Sequence, residues 1–219
     1  MPDCVAIVDY GMGNLFSVQA ACEAVGLNAK ITAAPRQILD AGAVILPGVG
    51  ALPDAMQALR QRDLVPVLRE AAAQGKPFMG ICLGLQLLMS ESEEFGRHEA
   101  LGLIPGTVIQ IADPKENGRA LKVPHIGWNE LHGTSKDWTG SLLAGVTHGE
   151  QMYFVHSFVA RPEDPTLSLS TTRYGGFEFC SSLQKNNIFG CQFHPERSGP
   201  QGLHIYRNFA ASLDGGRKN

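Results

Sequence analysis

The chain has 219 residues, 44% of them hydrophobic, and a formal net charge of −3, enough apolar material for one large domain, 1–219, with a full core. No basic stretch suggests nucleic acid as a partner, no run approaches the roughly 18 apolar residues of a membrane span, and Pro2-Asp3-Cys4 enters a strand-like run without the regions of a signal peptide. Five scattered cysteines (Cys4, Cys22, Cys82, Cys180, Cys191), odd in number and without a C-x-x-C pair, fit a reduced, cytoplasmic protein rather than a disulfide scaffold.

Val5 to Val8 is a short β-branched run of the kind found in buried parallel strands, ending in the turn Asp9-Tyr-Gly-Met-Gly-Asn14. Leu15, Val18, Cys22 and Val25 fall at helical spacing and stop at Gly26. Ala29 to Thr32 reads as a second strand and Ile38-Leu39 as a brief helix. Ala43 to Leu46 is a third buried strand, followed by Pro47-Gly48-Val49-Gly50. Residues 53–74 read as one helix, kinked at Pro66 and closed by Gly75. A buried strand from Lys76 to Ile81 leads into a helix with Leu85, Leu88 and Met89 on one side. Strands alternating with helices in this way predict a parallel α/β sheet.

After the polar loop Glu91-Ser-Glu-Glu94 the pattern becomes strand-rich. Thr107–Ile111, Gln151–His156 and Leu167–Thr172 read as strands, and Phe177–Leu183 with Ile188–Phe193 as a hairpin around Asn186-Asn187, residues that tolerate positive φ. A last helix spans about Gly202 to Leu213, and the tail from Asp214 is expected to fray. The expected fold is a three-layer α/β domain with an antiparallel extension late in the sheet.

Gly80-Ile-Cys82-Leu-Gly84 places a cysteine at the turn from strand to helix, flanked two residues away on each side by glycine. That is the spacing of a nucleophile elbow. The helix start beyond Cys82 offers unpaired N–H groups and a positive dipole end, which favour a thiolate and receive an oxyanion. Among seven histidines, His194 ends a strand and precedes Pro195-Glu196, so Glu196, two residues on along an extended chain, is expected to orient its ring. Cys82, His194 and Glu196 are therefore the candidate triad. A metal site built on Cys191, His194 and Glu196 is the rival, but Cys191 and His194 would face opposite sides of a strand and no fourth ligand is evident, so no metal is expected. An oxyanion at Cys82 needs two donors. The Leu83 N–H is one, and the N–H of Val49 or Gly50 in the glycine loop is the expected second.

Pro47-Gly-Val-Gly50, Gly80-Ile-Cys-Leu-Gly-Leu-Gln86 and Gln192-Phe-His-Pro-Glu-Arg-Ser198 together resemble a class I (triad) glutamine amidotransferase. Asp9-Tyr-Gly-Met-Gly-Asn14, Pro124-His-Ile-Gly-Trp-Asn129 and Tyr153-Phe-Val-His-Ser157 are similar, within that family, to the glutaminase subunits of imidazole glycerol phosphate synthases, which serve histidine biosynthesis. The resemblance implies a flavodoxin-like amidotransferase fold and glutamine hydrolysis through a Cys82 thioester, with no cofactor. It implies that Gly48, Gln86, Glu94, Ser157 and Phe158 contact the glutamine. It also implies a heterodimer with a TIM-barrel cyclase that takes the ammonia, with Asn14, Trp128, Tyr153 and Arg197 as candidates for the docking face. No P-loop or dinucleotide fingerprint is present, in keeping with a separate synthase protein. The competing readings are a triad glutaminase for pyridoxal phosphate, anthranilate or guanylate synthesis, a non-catalytic binding subunit on the same fold, and, more remotely, a cysteine peptidase.

Overall fold

A computed structural model of the protein describes residues 4–134 and 137–215, the side chains of 214 and 215 excepted. The N-terminal Met1–Asp3 lies outside the described residues. The tail expected to fray from Asp214 is helical as far as Gly215 and beyond that also lies outside them.

In the first half the elements are β1 (Cys4–Val8), α1 (Leu15–Ala24), β2 (Asn28–Thr32), α2 (Pro35–Asp40), β3 (Ala43–Gly48), α3 (Leu52–Gln61), α4 (Leu64–Ala73), β4 (Phe78–Cys82) and α5 (Leu83–Leu87). The second half adds β5 (Glu91–Ser92), β6 (His98–Glu99), β7 (Gly106–Gln110), β8 (Lys115–Glu116), β9 (Arg119–Ala120), β10 (His125–Glu130) and β11 (His132–Gly133). It closes with β12 (Gln151–His156), β13 (Phe158–Pro162), β14 (Ser168–Tyr174), β15 (Phe177–Lys185), β16 (Ile188–Cys191) and α6 (Gly199–Gly215). Two single 3₁₀ turns, Pro165–Leu167 and Pro195–Arg197, punctuate the later strands.

The main sheet runs β11-β14-β15-β16-β4-β3-β1-β2. From β2 to β16 all neighbours are parallel, and β15, β14 and β11 continue the sheet antiparallel. The order β2-β1-β3-β4 is the flavodoxin-like one, with its switch point beside β1 and β3, where such sheets hold ligands at the carboxyl ends of their strands. The alternation of the strands splits the core in two. Ala6, Val8, Val44 and Leu46 pack with α2, α3 and α4 on one face, and Val5, Ile7, Ile45, Met79 and Ile81 pack with α1 and α6 on the other. Three layers result, as expected.

The long helix expected over 53–74 is two helices. The break falls at Asp63, which adopts a left-handed conformation (φ 54°), and not at Pro66. Pro66 stands in the first turn of α4, where a backbone N–H would have no helical partner in any case, so the proline costs nothing there. The Glu91–Glu94 stretch is not a solvated loop. Glu91-Ser92 is the short strand β5, and Ser92 and Glu94 are buried.

The strands expected over 107–111 and 151–156 are present as β7 and β12, and they pair with strands that were not expected: β10 and β12 make a separate antiparallel ribbon, and β13-β7-β5-β6 make a second sheet. The pattern of β10 hides it: His125 faces inward while Ile126 and Trp128 stand out in solvent at 60% and 54% exposure. That is the reverse of the usual apolar-in, polar-out alternation. At Ser157, between β12 and β13, the chain passes from the ribbon to the second sheet.

Candidate active site

Cys82 ends β4 and stands immediately before α5, at φ 54° and ψ −106°. A non-glycine residue held at positive φ is strained, and such strain collects at functional turns. The flanking glycines are required by space. A Cβ on Gly84 would lie 1.8 Å from the Leu46 carbonyl oxygen of β3, and one on Gly80 would lie 2.8 Å from the Gly84 carbonyl. The elbow is thus wedged between its own helix and the neighbouring strand. Cys82 is 6% exposed. Its Sγ contacts the Val155 carbonyl oxygen at 3.8 Å and receives a hydrogen bond from Gln192 Nε2 at 3.6 Å.

The base comes from the far end of the chain. β16 inserts beside β4 in parallel and stops at Cys191, two residues sooner than expected. His194 follows, and Glu196 sits in a 3₁₀ turn rather than an extended segment. The turn still presents the carboxylate: His194 Nδ1 and Glu196 Oε1 are 2.8 Å apart, with both side chains sealed from solvent. The main chain of His194 is pinned as well. Its N–H donates to Tyr153 O and its carbonyl accepts from Ser198 Oγ.

His194 Nε2 is buried without a well-aligned hydrogen-bond partner, although the Cys82 sulfur is close enough to act on the ring. Such contacts commonly tighten only when substrate is bound. Burial by itself would lower the imidazole pKa, but the Cys82 and Glu196 contacts override it and carry the ring up to about 10. An imidazolium held beside a sulfur is the charge arrangement that activates a cysteine nucleophile. Among the described residues no group of three or more His, Cys, Asp and Glu side chains is arranged to hold a metal ion.

A cavity of about 270 Å³ opens over the sulfur. It is lined by the expected Val49, Gly50, Leu83, Gln86, Glu94, Ser157 and Phe158 together with Cys82. Gly48 is not part of its wall: it pairs with Cys82 across β3 and β4, and a Cβ there would lie 2.2 Å from the Tyr10 hydroxyl, which donates to Pro47 O. Gln86 Nε2 donates to Phe158 O at 2.9 Å and to Gln192 Oε1 at 3.2 Å. Glu94 Oε2 accepts the Leu52 N–H at 2.8 Å. Burial raises the Glu94 pKa, and that backbone bond partly offsets it. The remaining oxygen of this carboxylate suits a ligand ammonium at the cavity wall.

Sequence reasoning assigned no part to Pro124, Val155, His156 or Gln192. The first three line the cavity and the fourth touches the sulfur. Gln192 stands in the same motif as His194, and that adjacency was the signal.

Three of the residues expected at a docking face, Trp128, Tyr153 and Arg197, stand together. Arg197 lies 4.5 Å above the Tyr153 ring, and Trp128 meets Tyr153 edge-on at 6.1 Å. Helix α1 packs on the 3₁₀ turn that carries Arg197, and the exposed Asn14 immediately precedes that helix. Phe16, on the same helix, is 80% exposed.

The sequence matches the family model for class-I glutamine amidotransferases over residues 6–213. Curated relatives called imidazole glycerol phosphate synthase subunit HisH are similar over nearly the whole chain. The Geobacter metallireducens protein is 46% identical, covering 95% of this chain and 98% of its own. The Moorella thermoacetica protein is 47% identical (94% and 93%), and the Legionella pneumophila (strain Lens) HisH 1 is 43% identical (94% and 97%). Among solved structures, a glutamine amidotransferase shares the fold at TM-score 0.70 and 19% identity, covering 94% of this chain and 98% of that one. So does PurLQS from Thermotoga maritima, at TM-score 0.70 and 20% identity, with 97% and 100% covered.

Proposed function

The chain belongs to the class-I glutamine amidotransferase family, and from its 43–47% identity to HisH subunits over nearly its whole length we infer that it is the glutaminase subunit of an imidazole glycerol phosphate synthase, releasing ammonia from glutamine for histidine biosynthesis. The observation that carries the chemistry is the meeting of Cys82, at a strained strand-to-helix turn, with the His194–Glu196 pair beside a cavity that opens over the sulfur.

In this reading glutamine lies in the cavity with its ammonium at Glu94. Its side-chain amide is over the sulfur, and its backbone is along Ser157 and Phe158. The Cys82 thiolate adds to the amide carbon. The oxyanion takes hydrogen bonds from the Leu83 N–H, free as the first of its helix, and from Val49 or Gly50. The His194 imidazolium gives its proton to the departing nitrogen, so that C–N cleavage releases ammonia and leaves a γ-glutamyl thioester. The imidazole, now neutral, takes a proton from water as the water attacks the thioester. Glutamate leaves and the thiolate is restored. Glu196 keeps the ring oriented throughout.

Glutamine is the substrate and a cyclase subunit the partner. The finer reading is a heterodimer with a TIM-barrel cyclase docked on Asn14, Phe16, Trp128, Tyr153 and Arg197, working in the cytoplasm, with 1–219 as one amidotransferase domain. The contacts of Tyr153 with Trp128 and Arg197, and the exposure of Phe16 and Trp128, support the docking face. Among the described residues no helix is long and apolar enough to cross a membrane. The deciding experiment is glutaminase activity of the chain alone, with the cyclase, and with the cyclase and its nucleotide substrate. A strong rise on partnering is expected, because Val49 and Gly50 sit on an exposed loop that docking can set. Equal turnover in all three would overturn the partner dependence.

A further inference from the structure

Two buried histidines, one in the cavity wall and one behind it, are not used by the chemistry above. His125 and His156 are 2% and 6% exposed and pair directly across β10 and β12. His156 Nδ1 is 3.1 Å from the Phe158 carbonyl oxygen, His125 Nδ1 is 3.0 Å from His156 Nε2, and Asn129 Nδ2 is 3.3 Å from His125 Nε2.

These contacts admit one distribution of protons. A carbonyl only accepts, so His156 Nδ1 carries its hydrogen. With that ring neutral, His156 Nε2 is an acceptor and His125 Nδ1 must donate to it. His125 Nε2 is then an acceptor in turn, and the Asn129 amide supplies the hydrogen. A charged His156 would set N–H against N–H at the 3.0 Å contact, and a charged His125 would do the same at its 3.3 Å contact with the Asn129 amide. Burial holds both imidazoles neutral near pH 7, at about 4 for His125 and about 3 for His156. In His156 the positive fields of His125 and His194 lower it further, against the bond to Phe158.

The line of bonds continues past Phe158. The same carbonyl accepts from Gln86 Nε2, Gln86 also donates to Gln192 Oε1, and Gln192 Nε2 reaches the Cys82 sulfur. At its other end Asn129 also donates to Arg173 O. Asn129 belongs to β10, whose outer face carries the exposed Ile126 and Trp128. An aromatic clamp fixes His125 laterally: it stacks on Tyr174 at 4.2 Å and on Phe154 at 5.1 Å. Nothing in this line is free to swivel without breaking a buried bond.

We propose that His125 and His156 are positioning residues, a strut of fixed hydrogen-bond polarity that transmits the position of the β10–β12 ribbon to the Phe158 carbonyl, and through Gln86 and Gln192 to the Cys82 sulfur. Resting on the glutaminase reading above, the strut sets glutamine affinity and is the route by which a protein docked on the outer face of β10 acts on the site.

The test has two independent parts. In the full-length protein, ¹⁵N-histidine NMR at neutral pH should show both rings uncharged and protonated on Nδ1, the resonances being assigned by their loss in single variants. An Nε2–H tautomer or a charged ring at either position overturns the proposal. This readout does not depend on glutamine being the substrate, so an inactive wild-type protein would sink the functional reading and leave the strut standing.

Kinetically, His125→Phe keeps a ring between Tyr174 and Phe154 and donates nothing. It should raise KM for glutamine about three- to tenfold, the worth of one such bond, with a smaller change in kcat and a weaker stimulation by the cyclase. His125→Asn places an amide N–H near the Nδ1 position and should restore KM, although it loses the stack. Unchanged KM and stimulation in His125→Phe, or failure of Asn to restore them, would reject the strut. If His125→Phe does not fold, the tautomer measurement decides alone.

Discussion

His194 Nδ1 and Glu196 Oε1 stand 2.8 Å apart with both side chains closed off from water, although the chain turns at Pro195 rather than extending. A buried carboxylate in that position selects the ring tautomer that leaves Nε2 to work on the sulfur. Glu196→Gln keeps the shape and removes the charge, and the amide is able to present the wrong hydrogen-bonding group. Glutaminase kcat with the cyclase bound should fall roughly 10²- to 10⁴-fold, while KM changes little. Steady-state kinetics of the partnered variant checks this, and a loss under threefold would remove Glu196 from the triad.

The raised His194 pKa predicts a pH dependence of stability. The ring titrates at 6.5 when exposed and at about 10 when folded, because the Cys82 and Glu196 contacts outweigh burial. A group with a raised folded pKa contributes fully below the unfolded value and loses that contribution as pH climbs through the folded one. The protein should therefore lose melting temperature between about pH 6.5 and 10, and His194→Gln should lack that part of the decline. Thermal unfolding of both across this range is the check, and parallel curves would contradict it.

The elbow glycines predict steric failure. Gly84→Ala drives a Cβ into the Leu46 carbonyl at 1.8 Å, so β3 or the elbow has to move. The expected loss is at least the 1–3 kcal/mol typical of overpacking, together with loss of activity. Gly176→Ala, whose Cβ meets only Lys115 O at 3.9 Å, should be close to neutral. Urea unfolding of the two variants separates crowding from a general cost of replacing glycine.

Glu94 predicts a binding phenotype. Its Oε2 is committed to the Leu52 N–H, and it lines the cavity. Glu94→Gln removes the charge offered to the glutamine ammonium and should raise KM about 10- to 100-fold, the worth of a charge-assisted hydrogen bond, with kcat held within a few-fold. A fall in kcat at constant KM would place Glu94 elsewhere in the mechanism.

Trp128, exposed and braced edge-on by Tyr153, predicts an interface phenotype. Trp128→Ala should weaken cyclase binding by about 2 kcal/mol, roughly 30-fold, if it is an anchor of the docking face. Calorimetric titration against the cyclase measures it, and an unchanged Kd would move the interface off this ribbon.

The parallel half of the fold was legible because hydrophobic runs, glycine stops and helical spacing all agree from Val5 to Cys82. The elbow was legible because Gly80 and Gly84 are demanded by space alone. Part of what escaped notice has one cause, inverted polarity: in β10 His125 faces in while Ile126 and Trp128 face out, and Glu94 is buried in a run of acidic residues. Hydrophobic patterning gives no strand for the first and a solvated loop for the second. The Asp63 break was missed for a different reason, since a left-handed aspartate leaves a weaker mark than a proline and Pro66 stood three residues away. Gln192 was in view, but its contacts with Gln86 and Cys82 depend on β16 lying beside β4, a pairing between segments 110 residues apart.

That separation has a consequence for how the protein comes into being. Cys82 leaves the ribosome long before its base, and β16 must then insert between β4 and β15 to bring His194 alongside. Helix α6 closes behind it, with Gly202 pressed so near Pro195 that a Cβ there would lie 1.9 Å from the carbonyl oxygen. A nascent or C-terminally truncated chain thus carries the thiol without the imidazole. Glutamine is safe from the unfinished protein, because the reactive centre is among the last parts of the molecule to exist.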